Sequence, residues 1–290
     1  MKRKSKVYYL ILIILFTGTS IYADQIHSRE ESPAYPKGYY TGDMLPEKTA
    51  YLTFDDGPAE WTGSILDTLK KEDVKATFFV CAYWNNRQMK GLSSFQKHTG
   101  SLQRIVKEGH VLGNHTYGHD IIPFLSPEKI RQQFNYNQIL LNKALGEDAP
   151  EMTIIRMPQG QPWSVKSSES RKKYTGSIVR DLGIVAMWTK EADSTDSWDW
   201  AKGEWYKSTP KVDRDNPSFI KKRDRVYKRV LLNADGRGIV ILMHDTHLVT
   251  SEVLPAVIKE LKGRGYRFDT MEDFVMWKYG KSSKELIRTK

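Results

Sequence analysis

The sequence holds one cysteine, Cys81, in 290 residues. No disulfide can form within the chain. Cys81 closes the apolar run Ala76–Cys81, the setting of a buried core thiol. No base lies near it in sequence to make it a nucleophile. Long apolar runs are equally scarce. The one near the start, Val7 to Phe16, is short of the roughly 20 residues that span a bilayer. Internal repeats, low-complexity tracts and nucleic-acid-binding motifs are absent. The basic residues are spread out, and the denser patch Lys221-Lys222-Arg223-Asp224-Arg225 reads as a solvated helix face.

The order at the N-terminus is that of a secretory signal peptide, residues 1–23. Basic residues Lys2 to Lys6 come first, then the apolar stretch. Thr17-Gly18-Thr19-Ser20 and Ile21-Tyr22-Ala23 follow, with cleavage expected after Ala23. A secreted or cell-surface protein is therefore expected. The alternative is an uncleaved membrane anchor, since Ile21 and Tyr22 lengthen the apolar zone; no cysteine follows that would take a lipid. The formal charge of +10 falls to about +6 once Lys2, Arg3, Lys4 and Lys6 are removed. That suits an anionic partner such as a cell-wall polymer and is also ordinary for a soluble protein.

Residues 24–47 carry Pro33, Pro36, Gly38, Gly42 and Pro46 and read as an irregular linker. From residue 48 to 278 short apolar strands alternate with helical spacing. Ala50–Phe54, Ala76–Cys81, Val111–Gly113, Thr153–Ile155, Ile184–Trp188 and Gly238–Met243 are strand candidates. Between them fall helical stretches such as Thr62–Lys71 and the one that Ser126-Pro127 opens. Strand then helix, repeated about seven times, predicts an α/β fold with a mainly parallel sheet or a β/α barrel. A Trp-, Asp- and Lys-rich stretch at about 192–216 breaks the rhythm as a loop insertion. Residues 279–290 read as a basic tail.

The chemistry-bearing residues fall where such folds keep them, at strand C-terminal ends. Asp55 and Asp56 leave the first strand in Thr53-Phe54-Asp55-Asp56-Gly57-Pro58. Adjacent carboxylates point in different directions, so one can hold a metal while the other accepts a proton. Alone, the run is also an ordinary turn. His115 and His119, four apart, follow the third strand and can reach one cation. Two imidazoles and one carboxylate leave open positions on a divalent metal, the layout of a catalytic site. The set suits Zn²⁺, with Co²⁺, Ni²⁺ or Fe²⁺ as alternatives. Arg156 ends another strand, where it can hold the basic carboxylate or lie on the surface. His244 ends the most apolar strand, placed to protonate a leaving group or to sit at the edge of the core.

Taken together these residues resemble the polysaccharide deacetylases of carbohydrate esterase family 4. The resemblance runs from about Lys48 to Met276, through Thr-Phe-Asp-Asp-Gly-Pro, His-Thr-Tyr-Gly-His, Arg-Met-Pro-Gln-Gly, Asp-Ser-Trp-Asp-Trp and Leu-Met-His. It implies a distorted (β/α)7 barrel as a single catalytic domain. It implies Asp55 as general base, Asp56, His115 and His119 as metal ligands, and Arg156 orienting Asp55. His244 would be the general acid, set by an aspartate of the fourth motif: Asp199 is favoured, Asp196 close behind. The Gln159 N–H would help stabilise the oxyanion, and Leu242 would line the acetyl pocket. Trp200 would contact the sugar. Family members usually carry an aromatic residue where this chain has Gln159, so a stacking wall is missing there; Trp198, Trp200, Trp205 and Tyr206 of the insertion could replace it or simply pack the insertion down. The implied activity is metal-dependent removal of N-acetyl groups from an acetylated amino-sugar polysaccharide, peptidoglycan or chitin-like, by a monomer. O-deacetylation of xylan or another glycan, and a non-catalytic carbohydrate-binding protein, are the alternatives.

Overall fold

The computed structural model describes residues 45–84, 91–164, 166–199, 204–205 and 213–288. The expected signal peptide, most of the expected linker, Trp200 and Tyr206 lie outside the described residues.

β1 (Thr49–Asp55) is buried at all seven positions, as a strand covered on both faces must be. α1 (Thr62–Lys71) then turns Thr62, Ile65, Leu66 and Leu69 inward, one helical stripe. β2 (Thr77–Val80) follows, then α2 (Ser94–Lys97) behind a Ser93–Gln96 capping box, and α3 (Thr99–Lys107). Gly109, at φ 78°, reverses the chain into β3 (Val111–Asn114). α4 (Pro127–Leu145) starts with Ser126 accepting from the Lys129 N–H and proline in the first turn, as the sequence predicts. β4 (Ile154–Ile155), α5 (Glu169–Val179) and β5 (Ile184–Val185) complete the first half.

Within the insertion, β6 (Trp198–Asp199) and β7 (Glu204–Trp205) form an antiparallel pair. α6 (Pro217–Val230), β8 (Ile239–His244), α7 (Leu248–Gly263), β9 (Arg267–Phe268) and α8 (Met271–Tyr279) follow. Thr270 caps α8 in a box with Asp273. The expected basic tail forms a further helix, α9 (Ser283–Arg288). Ser283 ties it down: its N–H donates to Glu272 (2.8 Å) and its hydroxyl lies 2.6 Å from that of Thr153. Leu286 is buried.

The main sheet runs β5-β4-β3-β2-β1-β8, with β9 also on β1, and every pairing is parallel. The distortion of the barrel has a visible cause. β5 is two residues long, and the chain beyond it runs irregularly along β8. Thr189 N–H donates to Val240 O (3.0 Å) and Ser194 N–H to Leu242 O (3.0 Å), covering that edge.

Register decides where the chemistry falls. Asp55 lies opposite Phe79 on one side and His244 on the other. Val80, next after Phe79, faces Asn114, which in turn faces Ile155. His115 and Arg156 are therefore each one residue past a shared rung, and all four residues reach the same end of the barrel.

Candidate active site

Asp55 and Asp56 leave β1 in different backbone conformations. Asp56 is left-handed (φ 75°), a region that aspartate tolerates better than most residues, and its N–H donates to Phe79 O (3.1 Å). The switch sends the two carboxylates to different partners. Asp55 Oδ1 accepts from Arg156 Nη1 at 2.8 Å. Asp56 Oδ1 lies 3.3 Å from His115 Nε2 and 3.3 Å from His119 Nε2.

Each imidazole is held by its other side or its backbone. His115 Nδ1 is 2.8 Å from Arg156 O, and a carbonyl can only accept. The ring therefore carries a proton on Nδ1, which leaves Nε2 as the nitrogen turned to Asp56. The His119 N–H donates to Thr116 Oγ1 (3.1 Å), and both Thr116 (φ 69°) and His119 (φ 56°) are left-handed.

These three side chains fit a cation. One donor atom from each of Asp56, His115 and His119 lies within 4.8 Å of the others, the one such cluster among the described residues. Asp56 Oδ1 is buried without a hydrogen-bond partner, so a lone pair points into the cluster unpaired. Burial alone would raise the Asp56 carboxyl, but His119, His115 and His244 outweigh it and hold it well below the usual carboxylate range. An ionised oxygen and two imidazole nitrogens are a donor set for zinc or a neighbouring first-row divalent ion.

Arg156 is fully buried. Besides Asp55, it donates to Thr53 Oγ1 (2.8 Å), Ala186 O (3.1 Å) and Met187 O (3.3 Å). Its guanidinium stacks 4.0 Å from the centre of the Phe79 ring. The surface alternative for Arg156 is excluded.

From the neighbouring strand β8, His244 Nε2 stands 4.0 Å from Asp56 Oδ2. Its Nδ1 donates to Asp196 Oδ1 at 2.7 Å. Asp196, not the favoured Asp199, holds this histidine; Asp199 sits three residues on, in β6. Asp196 is buried and its Oδ2 also accepts from the His244 N–H (2.7 Å) and Thr250 Oγ1 (2.6 Å). Burial would raise Asp196, but His244 and these donors keep it well below its ordinary value. Burial would lower His244; Asp196, Asp56 and Asp55 overcome that and push it up to about 10. These carboxylates favour its charged, imidazolium form.

Leu242 is buried on β8, level with Thr53. Gln159 lies exposed in the turn Pro158–Gly160 with a left-handed φ of 56°. Two groups stood out in no motif. Asp245 is fully buried, accepts from Thr62 Oγ1 (2.6 Å), and is pushed up to about 7 by burial first and by Asp56. Its carboxylate fills the space where a Cβ at position 57 would sit, so Gly57 is the residue that fits there. His247 is buried, its ring centre 6.0 Å from that of His244, and desolvation lowers it to about 4. Their only signal in the sequence was nearness to His244.

Comparison with known proteins shows the family. The polysaccharide deacetylase family model matches residues 42–185. A peptidoglycan-N-acetylglucosamine deacetylase of Bacillus cereus is 33% identical over 252 residues, covering 81% of this chain and 75% of that protein. The chain belongs to the polysaccharide deacetylase family. The peptidoglycan-N-acetylmuramic acid deacetylase PdaC of Bacillus subtilis is 30% identical over 78% of this chain and 38% of its own length. Among solved structures, a polysaccharide deacetylase from Bacillus cereus superposes with a TM-score of 0.57 at 28% identity, covering 77% of this chain and 91% of that one. This deacetylase is thus a hydrolase with the distorted β/α barrel that the family resemblance implies.

Proposed function

We propose that this deacetylase removes N-acetyl groups from an amino-sugar polysaccharide outside the cytoplasm, with a divalent metal held by Asp56, His115 and His119. The observation that carries the reading is the convergence of a carboxylate and an imidazole on the three-donor cluster from neighbouring strands. Asp55 Oδ2 lies 3.8 Å from His115 Nε2, and His244 Nε2 lies 4.0 Å from Asp56 Oδ2. The names of the relatives, which act on peptidoglycan sugars, favour an amide of that polymer over an ester.

A metal bound there would polarise the acetyl carbonyl and acidify a bound water to a pKa near ~7. Asp55 serves as general base. Arg156 fixes its Oδ1, which leaves Oδ2 to face the cluster, 3.8 Å from His115 Nε2. His244 serves as general acid. Its Nδ1 is committed to Asp196, so Nε2 carries the proton that the departing amine needs. The Gln159 N–H is assigned to the developing oxyanion and Leu242 to the acetyl methyl. The test is acetate release from N-acetylglucosamine oligomers and from peptidoglycan, with O-acetylated xylan beside them. Release from xylan alone overturns the amide reading. Equal release by the parent and Asp55→Asn overturns the catalytic one.

A further inference from the structure

α4 buries Ile130, Gln133, Phe134, Asn137, Leu141 and Leu145 along one stripe. Four are apolar, and two, Gln133 and Asn137, are amides one turn apart. Buried amides cost free energy unless every polar atom finds a partner. Here they do. The Gln133 Oε1 accepts from the Gly118 N–H (3.2 Å) and its Nε2 donates to Asp120 Oδ2 (2.6 Å). Its backbone carbonyl accepts from Tyr117 N–H (2.9 Å). The Asn137 Oδ1 accepts from Ala82 N–H (3.1 Å), while its Nδ2 donates to Val80 O (2.8 Å) and Asn114 Oδ1 (2.9 Å). Asn114 passes the chain on: its Oδ1 accepts from Thr116 N–H (3.0 Å) and its Nδ2 donates to Phe134 O (3.0 Å).

These bonds bracket the segment that carries His115 and His119. That segment needs holding. Thr116 and His119 are both left-handed without being glycine. Such a backbone persists only where the surrounding structure over-determines it. We infer that Gln133 and Asn137 are positioning residues that hold the His115–His119 loop in its metal-binding shape. The inference rests on the proposal that Asp56, His115 and His119 bind a metal.

Gln133 gives the inference its signature. One end of its side chain meets a donor and the other an acceptor, so only a neutral amide serves both. Glutamate keeps the shape and the bond to Gly118 but sets a carboxylate against Asp120. Asp120→Asn alone keeps a partner for Gln133, and combined with Gln133→Glu it supplies the missing donor.

The experiment is a zinc titration of the full-length protein by competition with a chromogenic chelator. Gln133→Glu should weaken zinc binding about 10–100-fold, the range seen when a group behind a ligand is lost. Asp120→Asn should bind as the parent does. The double variant Gln133→Glu/Asp120→Asn should recover parental affinity, a non-additivity that general weakening of the fold would not give. Unchanged affinity in Gln133→Glu, or a double variant no better than the single, overturns the inference. Should Gln133→Glu not fold, the double variant decides alone: parental affinity supports the inference, and a loss of tenfold or more overturns it. A parent protein that binds no zinc overturns the metal proposal instead.

Discussion

Removing the charge of Arg156 tests the core of the site in one step. Its guanidinium is fully buried and meets the buried Asp55, so Arg156→Met strands a carboxylate without its countercharge. Breaking a buried pair from one side costs about 3–5 kcal/mol. The carbonyls of Ala186 and Met187 lose donors as well, so the upper end of that range is expected. For a domain of this size 1 kcal/mol moves the melting temperature by about 2–4 °C, so the total is roughly 6–20 °C. Methionine keeps much of the stem's contact with Phe79, which separates loss of charge from loss of packing. Thermal and urea unfolding measure the cost. Acetate release measures the second effect, loss of the fixed Asp55 orientation. Arg156→Lys should retain part of the stability but little activity, because one ammonium cannot fill the places of a planar fork. A Met variant that melts within about 2 °C of the parent by this same scale refutes the account of Arg156 as the countercharge.

Further outcomes follow from other residues. Asp196→Asn should lower kcat by about 10²-fold or more, because the amide no longer secures a charged His244, while Asp199→Asn should leave kcat near that of the parent; equal losses would return the fourth motif to Asp199. Gly57→Ala sets a Cβ into the Asp245 carboxylate and should destabilise the fold by about 1–3 kcal/mol, read by urea unfolding. Zinc at about 100 times its Kd should raise unfolding free energy by about 2.7 kcal/mol, and chelation should remove both that increment and activity. His110 supplies a pH dependence away from the site. Desolvation, helped by Lys75, lowers it from 6.5 to about 4, and its Nδ1 accepts from the Ala76 N–H. Above pH 6.5 neither folded nor unfolded chain protonates it, so it contributes nothing there. As pH falls from 6.5 to about 4 the unfolded chain takes a proton that the folded one refuses, and up to about 3 kcal/mol of stability is lost. His110→Asn should flatten the fall in the urea midpoint over that window; parallel curves would refute it.

What the sequence revealed of this fold and site divides along a physical line. Residues whose role depends on local spacing were legible. β1, α1 and the caps of α4 and α8 lie where apolar period, serine, threonine and proline put them. Asp55, Asp56, His115 and His119 converge because parallel register places the ends of β1 and β3 at one level. Roles set by irregular backbone were not legible in that way. Asp196 reaches His244 because Ser194 is pinned to Leu242, Thr195 turns left-handed at φ 50°, and the Arg229 side chain holds Asp193 O at 2.6 Å. No periodicity encodes that path, so Asp199, with a tryptophan on either side, looked the better match. α9 is six residues long, too short for a pattern, and is fixed by the non-local contacts of Ser283.

Gln133 and Asn137 show the subtler limit. They occupy inward positions of α4 and break its apolar stripe, a flaw in amphipathicity when the helix is taken alone. The flaw disappears once their partners are seen, because a loop with two left-handed residues has backbone groups that no ladder satisfies. Gln133 answers one of them, the Gly118 N–H, and Asn137 holds the Asn114 side chain that answers another, the Thr116 N–H. A polar residue on the core face of a helix behind a catalytic loop is therefore a cue in its own right. Here the cue is sharp enough to predict which single reversal of donor and acceptor, Gln133→Glu paired with Asp120→Asn, should keep the loop intact.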